Sequence, residues 1–493
     1  MAEPSTVYHP AARARPMLWS SLESLSLALV AFLVLAMLAR HLDAEAFGRV
    51  AVALGLVQIA CSFVESFFHD VVVQRPGLLP AEVDAAHTSG LLVAAVLVLA
   101  IGLASGWAAS QRAPGTPVGV AELVLWMSPS VLLAAWSAMS VAQLRRQLAM
   151  RPLALAMAGS RLLAGGTAIV ALWQGAGVWA LVLNQNVAAA SLVLLLLAVR
   201  APKAQLTRDL LPAWRLAGFA AWNSASGLIN ANLGRGFQVA CGFVLPAAVV
   251  GQVALALRVV DMLVSVLVTG VTRVALSRLA AAAQAVRGDD GTRDLVATYL
   301  GTTKRLSAVM VPVLVLMAVL AEPLVQWVGD GGWALAASLV TWFALAQALR
   351  SPSYLAGTLF VALGRPRLGL WVSLADLASL VLMMLLWPSP LAWVLRLLVV
   401  VPLVLWLVRR HAGIGWSALA AAVRVPFAAA LLMGAAVHAG LPALQALSVG
   451  PLPVLALGGV AGALLYALCA AVLSGGARRT LWRHLATPGG GAR

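Results

Sequence analysis

The chain is a succession of long apolar runs broken by Pro, Gly and Arg clusters. A run of about 20 apolar residues crosses the hydrocarbon core as one helix. Such runs lie near 17–39, 50–70, 87–109, 119–143, 153–173, 177–199, 214–240, 250–274, 304–327, 333–361, 368–388, 390–408, 417–440 and 452–473. The runs 368–388 and 390–408 are separated only by the Pro388-Ser389-Pro390 turn. In lipid every backbone N–H and C=O must be satisfied within the protein, so runs of this kind become helices. A transmembrane barrel would show alternation instead. The expected fold is therefore an all-α polytopic membrane protein with about 14 transmembrane helices, 12 or 13 being the alternatives. The composition agrees: 62% of residues are hydrophobic and 10% charged, against roughly half and a quarter in soluble domains. Loops this short exclude a large soluble catalytic domain.

Charge sets the orientation. Net charge is +16, from 33 Lys and Arg against 17 Asp and Glu. Such a balance suits nucleic acid or a positive-inside topology, and here the distribution decides. With the N-terminus inside, 25 basic residues fall in cytoplasmic segments and three (Arg40, Arg49, Arg112) outside. Five more lie within spans: Arg161, Arg235, Arg258, Arg350 and Arg396. This bias places both termini in the cytoplasm, with no nucleic-acid role. The first apolar run lacks a small-residue cleavage pattern and is expected to stay as a span. The long segment 275–303 reads as a solvated cytoplasmic connector, with a short interfacial helix as the alternative. Cys61, Cys241 and Cys469 all fall in apolar runs without metal or disulfide spacing, so they read as packing residues. No cofactor or metal is expected.

An internal repeat emerges at an offset of 203. Phe47–Val57 and Val250–Val260 share Gly48/Gly251, Val50/Val253, Ala51/Ala254, Ala53/Ala256, Leu54/Leu257 and Val57/Val260. Arg151-Pro152 and Arg365-Pro366 echo one another before spans 5 and 11. Spans 1–6 thus pair with 7–12. The expected organisation is two pseudo-symmetric six-helix lobes, 1–200 and 201–411, around a central cavity. Two further helices and a cytoplasmic tail occupy 412–493. Parallel repeats put the axis along the membrane normal and the substrate path between the halves.

Polar stripes fall on the same repeats. Span 2 carries Gln58, Ser62, Glu65 and His69 on one helical face; span 8 carries Arg258, Asp261, Ser265, Thr269 and Thr272. Span 7 shows Asn223, Ser226 and Asn230, with Arg235 near its outer end, and span 1 shows Ser20, Glu23 and Ser24. Intramembrane charges cost several kcal/mol and persist when they pair or face water. For Arg258 and Asp261 both a structural ion pair and a cavity pair fit. Snorkelling to the interface competes with function for Glu23, His69 and Asp70. Arg161, Arg350 and Arg396 stand alone on apolar helices, and Asp376 is a candidate partner for one of them. The substrate-binding candidates are Arg258, Arg235, Asn230, Asn223, Ser62, Ser265 and Arg161. The ion-coupling candidates are Asp261, Glu65, His69 and Glu23.

Several segments resemble the polysaccharide-transporter branch of the MOP flippase superfamily. They are Leu38-Ala-Arg-His-Leu-Asp-Ala-Glu-Ala-Phe-Gly48, Val73-Gln-Arg75, Leu144-Arg-Arg-Gln-Leu148, Gly177-Val-Trp-Ala-Leu-Val182, Thr272-Arg-Val-Ala-Leu-Ser-Arg-Leu279 and Ala362-Leu-Gly-Arg-Pro366. The resemblance implies two six-helix lobes with a cationic cavity, in a bacterial inner membrane. It implies export of a lipid-linked oligosaccharide repeat unit for O-antigen, capsule or exopolysaccharide, with proton or sodium as possible coupling ion. Polysaccharide polymerases and glycosyltransferases are the implied protein partners. Near the end of span 7 the family pattern has an acid, whereas this chain reads Asn232-Leu-Gly-Arg235-Gly-Phe237.

An undecaprenyl-pyrophosphate-linked oligosaccharide flippase is the leading function. Arg grips phosphate oxygens with a fork that stays charged, and Asn, Ser and Thr suit sugar hydroxyls. A multidrug-type cation exporter would carry an acidic cavity. A membrane polymerase or glycosyltransferase would need an external loop with paired acids. No Gly-x-x-x-x-Gly-Lys loop is present, which excludes direct ATP hydrolysis. The chain is not expected to be an enzyme.

Overall fold

The structure, a computed structural model, describes residues 32–75, 77–111, 118–284, 289–329, 332–447 and 450–474. Glu23 lies outside the described residues. Contacts divide the chain into two units, Met1–Ala254 and Leu255–Arg493.

The first unit contains α1 (Phe32–His41), α2 (Ala44–Gln74), α3 (Pro80–Ser110), α4 (Val120–Met127), α5 (Pro129–Arg146), α6 (Met150–Trp173), α7 (Trp179–Ala198) and α8 (Leu211–Val244). It also holds the first turns of α9 (Ala247–Gln284). Helix α2 is the hub, packed by α3, α4, α5 and α8, while α6 and α7 pair with each other. It starts six residues before the expected span because Asp43 caps it: the Ala46 N–H donates to Asp43 Oδ1 at 2.7 Å. Glu45 sits in the first turn, where the helix dipole favours an anion, and pairs with Arg49 at 2.5 Å. The two acids of the Leu38–Gly48 motif are thus accounted for by helix initiation. The expected single span 119–143 is jointed, because Pro129 has no N–H to donate to the turn before it.

The 203-residue repeat has a direct physical counterpart. A Cβ on Gly48 would lie 1.9 Å from the Ala247 carbonyl oxygen, and one on Gly251 would lie 1.9 Å from the Ala44 carbonyl oxygen. Ala44 and Ala247 are themselves 203 apart. The first turns of α2 and α9 therefore meet backbone to backbone in a reciprocal contact, as a local two-fold relation requires. Small residues at a helix contact permit such approach in lipid, where packing replaces the hydrophobic effect between helices. Along α8, a Cβ on Gly242 would meet Val52 at 2.5 Å and one on Gly55 would meet Val239 at 3.0 Å. The α2–α8 packing is also close, but there the nearest neighbours are side chains.

The second unit continues α9 and adds α10 (Asp289–Val319), α11 (Ala321–Gly329), α12 (Ala334–Arg350), α13 (Ala356–Ala362), α14 (Pro366–Leu386), α15 (Ala392–Leu395), α16 (Leu397–Ala412), α17 (Trp416–Leu447) and α18 (Pro451–Leu473). Helix α10 packs against α12 on one side and α17 on another, and α18 packs on α17 and α11. Gly434, Gly458 and Gly462 admit Val315 and Leu316 of α10 and Leu320 just beyond it at this seam.

Among the described residues every regular element is helical, and twelve helices are long and apolar enough to cross a membrane. The all-α polytopic fold is as expected. Of the fourteen expected spans, the first is described only as α1. The seventh corresponds to α8, whose Asn223, Asn230, Asn232 and Arg235 keep it out of the twelve. The Pro388-Ser389-Pro390 turn separates two of the twelve, Pro366–Leu386 and Ala392–Ala412. Over the connector 275–303, α9 runs to Gln284 and α10 starts at Asp289, so much of it is helical. Ala280–Ala283 are good helix formers, which carries α9 to Gln284.

Candidate functional site

In the first unit α2 presents Gln58, Ser62 and Glu65 to a polar cavity of about 130 Å³. Spacings of four and three residues put them on one helical face, as the stripe required. Helix α5 adds Ser130 and Ser137, α6 adds Ser160 and Arg161, α7 adds Gln185, and α8 adds Arg235. A volume near 130 Å³ holds a few water molecules, at about 30 Å³ each in the liquid, or one small anionic group.

Arg235 organises this cavity. Its Nε donates to Gln58 Oε1 at 3.0 Å, and its Nη1 donates to Ser62 Oγ at 2.8 Å and Asn232 Oδ1 at 2.9 Å. Neutral acceptors on α2 and α8 thus fix one edge of the guanidinium. Glu65 lies within electrostatic reach of Arg161, Arg235, His69 and Arg145. Arg145 Nη1 donates to His69 Nε2 at 3.3 Å. On the opposite wall Gln185 Nε2 donates to Ser130 Oγ at 3.2 Å, and Ser130 Oγ donates to the Met127 carbonyl at 2.7 Å. One carboxylate set among several guanidiniums, with hydroxyls and amides between them, can hold an anion or exchange a proton or cation.

Of the sequence candidates, the structure brings Ser62, Glu65, Arg161 and Arg235 together here, with His69 one turn beyond Glu65. Asn230 is exposed on α8, and its Nδ2 donates to the Ser226 carbonyl at 2.9 Å. Asn223 lies on the same helix. Arg258, Asp261 and Ser265 belong to the second unit, on α9; Asp261 and Ser265 are exposed, and Asp261 is within electrostatic reach of Tyr354. Sequence reasoning missed Ser130, Ser137, Ser160 and Gln185. A signal existed for two of them, since Ser130 and Ser137 are seven residues apart and share a helical face.

The second unit holds a separate charge cluster. Asp376 accepts from Arg396 Nη1 through Oδ1 and from Arg350 Nη2 through Oδ2, the latter at 3.4 Å. The Arg396 guanidinium also lies over the Trp393 ring at 3.8 Å, and its Nε donates to the Trp393 carbonyl at 3.1 Å. Asp376 is therefore the structural partner anticipated for the lone arginines, and it serves two of them. The three cysteines are free thiols, Cys61 and Cys241 being buried.

The described chain is a helical membrane body with guanidinium, carboxylate and amide groups gathered on otherwise apolar helices. Solved structures share this fold. The chain resembles the lipid II flippase MurJ in its inward closed conformation, at 12% identity and TM-score 0.68, covering 95% of this chain and 99% of that one. It also resembles an inward-facing MATE multidrug transporter of the MOP superfamily (13%, TM-score 0.55, 84% and 98%) and the MATE multidrug transporter DinF-BH (15%, TM-score 0.56, 84% and 99%). At these identities the likeness is one of fold. No curated protein matches the chain in sequence. A family model described as "Polysaccharide biosynthesis protein" matches residues 37–337, so the chain belongs to that family, with the MOP-superfamily fold. The resemblance drawn from the motifs is borne out.

Proposed function

We propose that the protein flips an undecaprenyl-pyrophosphate-linked oligosaccharide from the cytoplasmic to the outer leaflet of a bacterial inner membrane, for O-antigen, capsule or exopolysaccharide synthesis. The transporter fold and the polysaccharide family define the class. The observation that carries the substrate is the cavity in which Arg235 and Arg161 flank Glu65. Its guanidiniums suit phosphate oxygens, and its small volume suits a gripping point for phosphate while the glycan passes elsewhere. A drug cation would meet guanidinium here, which argues against multidrug export.

In this reading the two repeats alternate access to the two faces, and both termini are cytoplasmic. Arg235, Arg161 and Arg258 hold the pyrophosphate, while Asn223, Asn230, Ser62 and Ser265 meet polar groups of the substrate. Glu65, Asp261, His69 and Glu23 serve coupling to a proton or sodium gradient. Protonation of Glu65 would remove a negative charge from beside its neighbouring guanidiniums and favour phosphate there; its ionisation would compete with the phosphate and expel the substrate. Such competition for the same cations couples two species that never touch one atom. No step here is enzymatic, and a polymerase or glycosyltransferases would act on the delivered substrate.

The test is flux of lipid-linked oligosaccharide in proteoliposomes carrying Arg235→Lys or Arg235→Ala. Lys keeps the charge but loses the fork, so flux should fall about tenfold with Lys, the equivalent of about 1.4 kcal/mol, and further with Ala. Wild-type flux from Arg235→Ala protein of normal yield would overturn the assignment.

A further inference from the structure

The second unit ends in an unusual charge pattern. Residues 377–493 contain no Asp or Glu, and Asp376, the acid just before them, is buried between two guanidiniums. At one corner of this unit the start of α14 meets the end of α16. Arg365 and Arg367 flank the first residue of α14, and Arg409, Arg410 and His411 form the last turn of α16. The two ends touch: Arg365 Nη1 donates to His411 Nδ1 at 2.5 Å. All four arginines are exposed.

Two features separate this corner from ordinary orientation charges. The dipole of α16 favours cations at its C-terminus, which accounts for Arg409 and Arg410. It gives no reason for Arg365 and Arg367, which stand at the positive end of α14 where a cation is disfavoured. The cluster therefore gathers like charges against a like dipole, with Arg365 on His411 and Arg410 over Trp406. The second feature is its level. Trp406, 45% exposed, carries the Arg410 guanidinium 5.2 Å from its ring. Exposed tryptophans mark the headgroup depth of a bilayer. Both helices enter the apolar segments 366–386 and 392–412 right there.

We propose that this corner binds the phosphate of an anionic phospholipid in the leaflet that the positive-inside rule assigns to the cytoplasm. Arg365 and Arg410 are the principal contacts, with Arg367 and Arg409 beside them. Forked donors suit phosphate oxygens, and basic recesses between helix ends on this side of a membrane recognise acidic headgroups. The bound phosphate supplies the anion that the sequence withholds, and the lipid tethers α14 to α16.

The experiment uses the full chain purified in detergent, with dioctanoyl phosphatidylglycerol, dioctanoyl phosphatidylcholine or inorganic phosphate added, and the melting temperature followed by tryptophan fluorescence. Phosphatidylglycerol should raise the melting temperature saturably, and the other two should not. Arg365→Gln/Arg410→Gln should weaken the apparent Kd for phosphatidylglycerol about tenfold or more, consistent with losing charge-assisted contacts, without shifting the lipid-free melting temperature. An equal response to phosphatidylcholine would mean a tail-driven site, and an equal response to inorganic phosphate would mean a free-anion site; either overturns the proposal. Wild-type affinity in the double variant does so too. If that variant yields no folded protein, the wild type decides alone. Its phosphatidylglycerol affinity should fall between about 50 mM and 500 mM salt as charge is screened, and a salt-independent affinity would refute the site.

Discussion

The Arg350–Asp376–Arg396 cluster allows a quantitative prediction, because its members differ in what each removal leaves behind. Asp376 and Arg396 are each 1% exposed, whereas Arg350 is about a quarter exposed. Asp376→Leu leaves Arg396 buried on the Trp393 carbonyl and ring, without its carboxylate. Breaking a buried pair in this way costs about 3–5 kcal/mol. Arg396→Met is milder, because Asp376 keeps Arg350 at 3.4 Å and that arginine can lean toward solvent. Its cost is the lost packing and the cation–π contact, about 1–3 kcal/mol. The double variant Asp376→Leu/Arg396→Met removes both buried charges and should cost little more than Arg396→Met alone. At about 2–4 °C per kcal/mol for a unit of this size, Asp376→Leu should lower the melting temperature by about 10 °C. Adding Arg396→Met should recover more than half of that. The assay is loss of monodisperse protein on heating, read by fluorescence-detected size-exclusion chromatography. Additive losses in the double variant would show that the two residues do not act as a pair. A shift below about 2 °C for Asp376→Leu would show that the cluster is not buried as described.

Three further outcomes follow from the site and the packing. Gly48→Val or Gly251→Val should abolish stable expression or cost several kcal/mol, since the new Cβ would fall 1.9 Å from a backbone carbonyl that cannot rotate away; normal melting of either would refute the contact. Single cysteines at Ser62 and Ser265, in a background without Cys61, Cys241 and Cys469, should react with a small impermeant thiol reagent, and protection of both with or without substrate would remove them from an aqueous path. Glu65→Gln should make oligosaccharide flux in proteoliposomes indifferent to an imposed proton gradient, and full retention of gradient dependence would clear Glu65 of coupling.

Much of the fold is legible in the sequence because lipid imposes a simple rule. Apolar length gives helices, and Pro388-Ser389-Pro390 gives the one tight turn that separates two of them. The α2 stripe is legible for the same reason: four polar groups at helical spacing on an apolar helix have one face to occupy. The opposite wall of the cavity is not. Ser160, Gln185 and Arg161 give no stripe of their own, and only the packing of α6 and α7 beside α5 brings them to Glu65. Asp43 reads as a loop acid in the sequence because a cap is defined by the backbone N–H it accepts from, and the first turn of α2 lies outside the expected span. The jointed α4–α5 segment has Pro129 as its sign, yet hydropathy carries straight across it.

The reciprocal glycine contact bears on how such a chain could have diverged after an ancestral duplication. Gly48 faces the backbone at Ala247 and Gly251 faces the backbone at Ala44. A larger residue in either copy collides with a main-chain atom of the other, which no side-chain change can accommodate. The two halves are therefore free to drift apart in charge, as Gln58 and Asp261 have done at equivalent positions. They are not free to drift at the point where they touch. A record of the repeat would persist longest in the few residues whose enlargement collides with main chain.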